Sequence, residues 1–248
     1  MPTSPAILPT SSDHRCRNAL QVIAGYCGIH LKPRNKDGTI TWGDAMNYLK
    51  YLVEEIHTTV VATVDDTGLP VTAAIDMMDW DEEGLYFLTA KGKGFYDRLK
   101  KRGMLALTGM KGTDTMHCVA LSIRGKVQEI GPSCLPRLFE KNPYMAEIYP
   151  TDQSREALTV FKICEGNGEW FDLSKKPIER ASFTFGGAEY SKQGYYITGD
   201  CIACGKCLQV CPQNCITAGQ PYAVQQKHCL HCGNCMAVCP TGAVEKRG

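Results

Sequence analysis

Charge of one sign in excess is missing from this chain: 27 lysines and arginines stand against 26 aspartates and glutamates, a net of +1 over 248 residues. Binding to nucleic acid or an anionic membrane by bulk electrostatics is therefore not expected, since such surfaces show a basic surplus. Long hydrophobic runs are missing too, and without about 18 consecutive apolar residues no transmembrane helix is expected. The opening MPTSPAILPTSSDHRCR has no basic start, no long apolar stretch and no small-residue cleavage site, so the chain is expected to stay in the cytoplasm. No GxGxxG follows a strand-like segment, which leaves no dedicated dinucleotide-binding domain.

Cysteine, in contrast, is abundant. Of 14 cysteines, nine fall between Cys201 and Cys239. In a reducing compartment such a cluster reads as metal ligands, because thiol pools keep structural disulfides from persisting. Cys201, Cys204, Cys207 and Cys211 with Pro212 read CxxCxxCxxxCP, and Cys229, Cys232, Cys235 and Cys239 with Pro240 repeat the spacing. The rest of the chain, 44% hydrophobic and 21% charged, fits a folded protein of one large or two smaller domains.

The duplicated run resembles the bacterial two-cluster ferredoxins over residues 195 to 248, from YYITGDCIACGKC to CPTGAV. In that pattern three cysteines spaced by two residues wrap one cubane, and the fourth, before a chain-turning proline, reaches the neighbouring cluster. The resemblance assigns Cys201, Cys204, Cys207 and Cys239 to one [4Fe-4S] cluster, and Cys211, Cys229, Cys232 and Cys235 to the other. Zinc also takes four thiolates, but its sites pair two CxxC knuckles, and a duplicated triple-cysteine run suits them poorly. Cys215 has no counterpart in the second copy, where Ala243 stands, and is expected to be a small buried residue. His228 and His231 flank Cys229 and are expected beside the ligands rather than among them.

Residues 1–40, rich in Pro, Ser, Asn and Lys, read as an extension with one apolar patch, NALQVIAGYCGIHL. A helix is expected from Thr41, with Thr41 and Asp44 as a capping box and Ala45, Leu49, Leu52, Val53 and Ile56 on one face. The period then becomes strand-like. HTTVVATV (57–64), VTAAIDMMDW (71–80) and LYFLT (85–89), divided by DDTGLP and DEEG, predict a three-stranded antiparallel meander. GFYDRLKKRG (94–103) predicts a short helix ended by Gly103. MLALT (104–108) and MHCVALSIRGKVQEI (116–130) predict two more strands, residues 133–141 a helix, and ALTVFKI and GEWFDL the closing strands.

TAKGKG, Thr89 to Gly94, joins a strand to a helix with two glycines, two lysines and a hydroxyl. Free amides at a helix start attract anions, and glycine lets a phosphate approach the backbone. On spacing alone, a phosphate site and a solvated turn stand level. The order of helix, ATVDDTGLPVTAAI, GLYFLTAKGKGFYDRLKKRGMLALTG and LSIRGKV resembles the FMN-binding split barrel of the pyridoxamine 5'-phosphate oxidase-like superfamily, over roughly residues 42–175. The resemblance implies FMN, with its phosphate on Thr89 and Lys93 and with Ala90 and Lys91 between them. It also implies contacts of the second strand, at Thr72, Ala73 and Ala74, with the flavin ring. The glutamine, Trp-Gly-Gly and Arg-Leu-His-Asp features of the namesake oxidase have no match, so vitamin oxidation is not expected. Other members of the superfamily bind F420 or haem.

His57, His117 and Cys118 border strands and read as packing residues, as do Trp170 and Tyr190; Cys16, Cys27, Cys134 and Cys164 show no ligand spacing. The fold expected is mainly β with α: a Greek-key split barrel followed by a small α+β two-cluster ferredoxin domain. Its boundaries are an extension at 1–40, a barrel at 41–185, a linker at 186–198 and the cluster domain at 199–248. One-electron clusters beside a two-electron flavin imply a reductase of a small electron-poor molecule, an activated alkene, a quinone or a nitro compound, in an anaerobic setting. An external ferredoxin or similar carrier is the expected donor, and a homodimer with FMN at its interface the expected assembly. The alternatives are a non-enzymatic electron carrier or redox sensor, or a barrel that binds F420 or haem.

Overall fold

The computed structural model describes residues 48–82 and 84–248. The extension expected at 1–40, with Cys16 and Cys27, lies outside the described residues, as do Thr41, Asp44 and Ala45. The expected helix is seen from residue 48 and widens into a π turn, Leu52–Ile56. Leu49 and Leu52 are buried, and Val53 and Ile56 pack against the same core.

Eight strands form one antiparallel sheet: β1 (Thr58–Val64), β2 (Pro70–Asp76), β3 (Asp79–Asp81), β4 (Gly84–Ala90), β5 (Met104–Gly112), β6 (Cys118–Gly131), β7 (Leu158–Asp172) and β8 (Glu179–Phe185). Their order is β2-β1-β5-β6-β7-β4-β3, with β8 also on β7. Alternation decides the faces, as in β1, where Thr59, Val61 and Thr63 are buried between exposed Thr58, Val60 and Val64.

The expected meander is corrected. β2 does pair with β1, but the chain changes partners at its end: the Met77 amide bonds His57 O, and the Met78 amide bonds Tyr86 O. β4 consequently pairs with β7, not with β2. Buried Asp79 fixes this crossing by meeting Arg137 (2.8 Å) and Lys141 of helix α2 (Leu135–Lys141). Removing both exposed cations would leave the buried Asp79 carboxylate unpaired, which is costly.

Two strands are longer than expected because their glycines serve packing and not turns. β5 runs on to Gly112, since a Cβ at Gly109 would stand 2.6 Å from Ile56 Cγ2, where the helical segment presses on the strand. The segments ALTVFKI and GEWFDL are one strand, β7: the Phe185 and Phe183 rings of β8 lie where Cβ atoms on Gly166 and Gly168 would be, 2.8 and 2.1 Å from the ring carbons. The expected helix at 94–103 is α1 (Gly94–Arg102), closed by Gly103 at φ 63° with its amide on Leu99 O.

Phe87, Phe161, Phe183 and Phe185 fill the core between the sheet halves, and α1 adds Phe95 and Leu99. Past Gly186 a connector leads to the cluster domain. This domain begins within the span expected as linker: β9 (Gly194–Ile197) pairs with β12 (Val244–Arg247), bringing the first and last strands of the domain together. Between them lie α3 (Lys206–Val210), the small ribbon β10 (Ile216–Thr217) and β11 (Ala223–Val224), and α4 (Asn234–Ala237). No helix among the described residues is long and apolar enough to cross a membrane.

Phe87 is fully buried and packs against Phe95 and Phe161, at centroid distances of 6.1 and 5.8 Å. Phe87→Ala is expected to lower the unfolding free energy by about 3–5 kcal/mol. Denaturant titration checks this; a loss under about 1 kcal/mol would show that the ring is not a core element.

Candidate functional site

The two cysteine runs fold as a pseudo-repeat. In each, the residue two after the first cysteine takes a positive φ, Ala203 at 55° and His231 at 56°. That bend turns its amide onto the preceding sulfur, 3.4 Å in both cases: Ala203 N–H to Cys201 Sγ, and His231 N–H to Cys229 Sγ. Gly205 and Gly233, left-handed at φ 77° and 83°, then start α3 and α4. The chain thus folds around each sulfur set with backbone donors aimed inward.

Two cavities result. Cys201, Cys204, Cys207 and Cys239 line one; Cys211, Cys229, Cys232 and Cys235 line the other. Each draws three cysteines from one run and the fourth from its copy, the same grouping as the two sets expected from the ferredoxin pattern. A zinc site would bring sulfurs to about 2.3 Å from a single point. No three His, Cys, Asp or Glu side chains converge on one ion among the described residues. A cubane asks for a wider spacing, because each thiolate meets a different iron, and the cavities fit that donor set. Burial pushes the thiols of Cys207, Cys229 and Cys235 up. Burial also acts on Cys211, but amides from the following turn outweigh it and hold that thiol below its ordinary value.

Cys215 is buried, as expected, yet it also lines the second cavity, with its Sγ 3.5 Å from Cys211 Sγ. Burial, then the neighbouring sulfurs of Cys211 and Cys229, push its thiol far up. The side chains of the two flanking histidines meet protein groups away from the sulfurs. His231 stands edge-on to Tyr195, and His228 Nδ1 is 2.8 Å from Ile178 O. The amide of the same Ile178, just before β8, donates to Gln213 Oε1 at 3.2 Å. Both backbone groups of one barrel residue therefore hold residues next to Cys211 and Cys229, so the second cavity is the one fastened to the barrel. Each cavity has one exposed cysteine, Cys232 here and Cys204 on the other, where Ile202 is exposed as well.

In the barrel, Thr89 ends β4 buried, with no hydrogen-bond partner for its Oγ1. Ala90 is half-buried, and Lys91 and Lys93 are exposed and have no ion-pair partner among the described residues. A Cβ on Gly92 would meet nothing, and one on Gly94 only the end of the flexible Arg98 side chain. An orphaned hydroxyl, two free ammonium groups and a helix start fit a phosphate group. Sequence reasoning missed Arg98. One turn into α1, it reaches Thr63 Oγ1 of β1 at 2.8 Å, and that hydroxyl donates to Val71 O of β2. The loop and β2 are thereby linked. On β2, the side chains of Thr72 and Ala74 face outward, whereas Ala73 packs against the core and offers only its backbone to that face.

The outward face continues across β1 and β5, with Val60, Met104 and Met110 exposed. On β5 to β8 it forms one wall of a cavity of about 320 Å³; the connector closes the other. Arg124, Glu169, Tyr190 and Gln193 line it. With its amide oriented to satisfy both neighbours, Gln193 accepts from Arg124 (3.2 Å) and donates to Glu169 (3.3 Å).

A second constellation was not legible either. His57 has a positive φ of 65°, a strained value for a non-glycine residue. Its Nε2 is 2.9 Å from Tyr144 Oη, and that hydroxyl donates to Asp76 Oδ2 at 2.8 Å. Burial, then the bond to Asp76, keep the Tyr144 proton on well beyond the ordinary range. Asp76 shares the outward face of β2 with Thr72 and Ala74. His117 is exposed against Asp114, Cys118 is buried, and Cys134 and Cys164 are half-buried. Trp170 packs on Tyr48 and Tyr51.

A split barrel joined to a ferredoxin-type domain defines a redox protein built for electron transfer. Residues 47–175 match the pyridoxamine 5'-phosphate oxidase family, and the chain belongs to it; residues 200–243 match the 4Fe-4S dicluster domain. Among solved structures, a NimC/NimA family protein from Clostridium acetobutylicum is similar at 15% identity (TM-score 0.49), covering 58% of this chain and 94% of that one. A heme-binding protein from Mycobacterium smegmatis matches at 11% identity (TM-score 0.46), covering 59% of this chain and 62% of that one. An F420 reductase matches at 21% identity (TM-score 0.38), covering 46% and 90%. No curated protein matches the chain.

The orphaned Thr89 hydroxyl gives a direct test of the loop. Thr89→Val removes a buried unpaired polar group, so the ligand-free chain is expected to gain about 1 kcal/mol in unfolding free energy. A loss of that size in denaturant titration would show that the hydroxyl has a partner already.

Proposed function

We propose that the chain is an iron-sulfur flavoprotein reductase that takes single electrons from an external carrier and delivers them in pairs to a small electron-poor organic molecule, such as an activated alkene, a quinone or a nitro compound. When bound, two [4Fe-4S] clusters would supply one-electron transfer, and FMN would gather two electrons for the organic acceptor. The observation that carries this reading is the fastening of the cavity lined by Cys211, Cys229, Cys232 and Cys235 to the barrel through both backbone groups of Ile178.

The chain's residues divide the work. Cys201, Cys204, Cys207 and Cys239 hold one cluster, on the side where exposed Cys204 and Ile202 offer a docking point to the carrier. Thr89, Lys91, Lys93 and the start of α1 hold the flavin phosphate; β2 lays Thr72, Ala74 and the Ala73 backbone beside the ring. Tyr144, braced by His57 and Asp76, keeps a proton at Oη on the same face. The cavity of about 320 Å³ gives a small substrate room beside the sheet, which favours an enzyme over a sealed carrier or sensor. A second copy of the chain would cover exposed Val60, Met104 and Met110, completing a dimer with FMN at its interface.

Anaerobic purification is expected to yield about eight iron atoms per chain, as two cubanes require, together with FMN. Iron near four, or no flavin, would overturn the reading. Lys93→Ala is expected to weaken FMN binding roughly tenfold, about 1.4 kcal/mol, with iron unchanged. Tyr144→Phe is expected to retain both cofactors and slow turnover of a nitro or quinone acceptor by about 10²-fold. Turnover at the full rate would remove Tyr144 from the reaction.

A further inference from the structure

The two cysteine cavities are alike in backbone, and one of their differences lies at a buried position beside a ligand sulfur. Where the second copy has Ala243, the first has Cys215, both almost wholly buried. The Cys215 side chain occupies the space beside the Cys211 sulfur at 3.5 Å, while its own amide donates to that sulfur at 3.4 Å. At Cys239, the matching sulfur in the other cavity, the nearest side-chain donor is the Thr241 hydroxyl at 3.7 Å. That hydroxyl also reaches Asp200 O at 3.1 Å, and the Ala243 amide bonds Cys239 as the Cys215 amide bonds Cys211, so the difference between the two sites is the Cys215 thiol itself.

We propose that the Cys215 thiol donates a hydrogen bond to the Cys211 sulfur and thereby makes the barrel-side cluster site the stronger one-electron acceptor of the two. The inference rests on the ligand sets proposed above. A donor on a ligating sulfur stabilises the extra negative charge of the reduced state, and hydrogen bonds to sulfur are among the factors that set cluster potentials. Cys211 belongs to the cavity tied to Ile178, and the site without the extra thiol is the other one; each site has one exposed cysteine, Cys232 in the first and Cys204 in the second. The asymmetry biases each electron from the Cys204 site towards the site tied to the barrel; one electron moves and no atom is transferred. Cys215 is a positioning residue in this scheme, not a ligand.

The test is a redox titration of the full-length, iron-loaded chain, followed by electron paramagnetic resonance, for the parent and three variants. Cys215→Ala is expected to move the more positive of the two cluster potentials negative by about 59 mV, a tenfold change for one electron, and to leave the other in place. Cys215→Ser, which keeps an O–H donor, is expected to recover most of the shift. Ala243→Cys is expected to move the more negative potential upward and narrow the gap from the other side. Should Cys215→Ala lose a cluster, the Ser and Ala243→Cys variants decide the matter alone. Unmoved potentials at unchanged iron content, or equal movement of both, would overturn the proposal. A parent chain without two cubane signals would instead overturn the ligand reading beneath it.

Discussion

Strand β7 is the member on which the barrel depends. One edge pairs with β6 along nearly its whole length; the other is shared, first by β4 up to Ile163 and then by β8 from Gly166 onward. That division fixes the order of the functional parts. The Thr89–Gly94 loop leaves at the start of β7, the cavity residue Glu169 sits in its later half, and Ile178 follows its far end across the turn to β8. The register that seats the Phe87 and Phe161 rings therefore also sets where a ligand and the cluster domain attach.

Much of this was legible in the sequence. The resemblance to two-cluster ferredoxins implied which cysteines belong together, and the same sets line the two cavities. The helix at 94–103 was readable from its apolar spacing and its terminal glycine. The partner change at Met77 and Met78 was not, since it depends on a buried aspartate meeting two cations from a helix about sixty residues away. Gly109, Gly166 and Gly168 misled for a related reason. Glycine marks either a turn or a close approach, and only the positions of Ile56, Phe183 and Phe185 tell which.

At the candidate site, residue types were easier to find than their directions. Thr72, Ala73 and Ala74 formed one patch in the sequence, but the pleat sends the middle side chain to the core. Arg98, Tyr144 and Asp76 escaped notice because each gains its meaning from a distant partner. Cys215 looked like filler because sequence shows only a missing repeat; the structure shows what the extra sulfur touches.

The interleaving of the two cavities bears on how the domain is made. Cys201, Cys204 and Cys207 leave the ribosome as an incomplete set whose fourth member, Cys239, lies more than thirty residues downstream, and Cys211 waits likewise for Cys229 to Cys235. The β9–β12 pair that draws the two ends of the domain together also needs residues beyond Val244. Neither cavity closes before residues 229–239 are made, so iron insertion follows the synthesis of the whole barrel that precedes them.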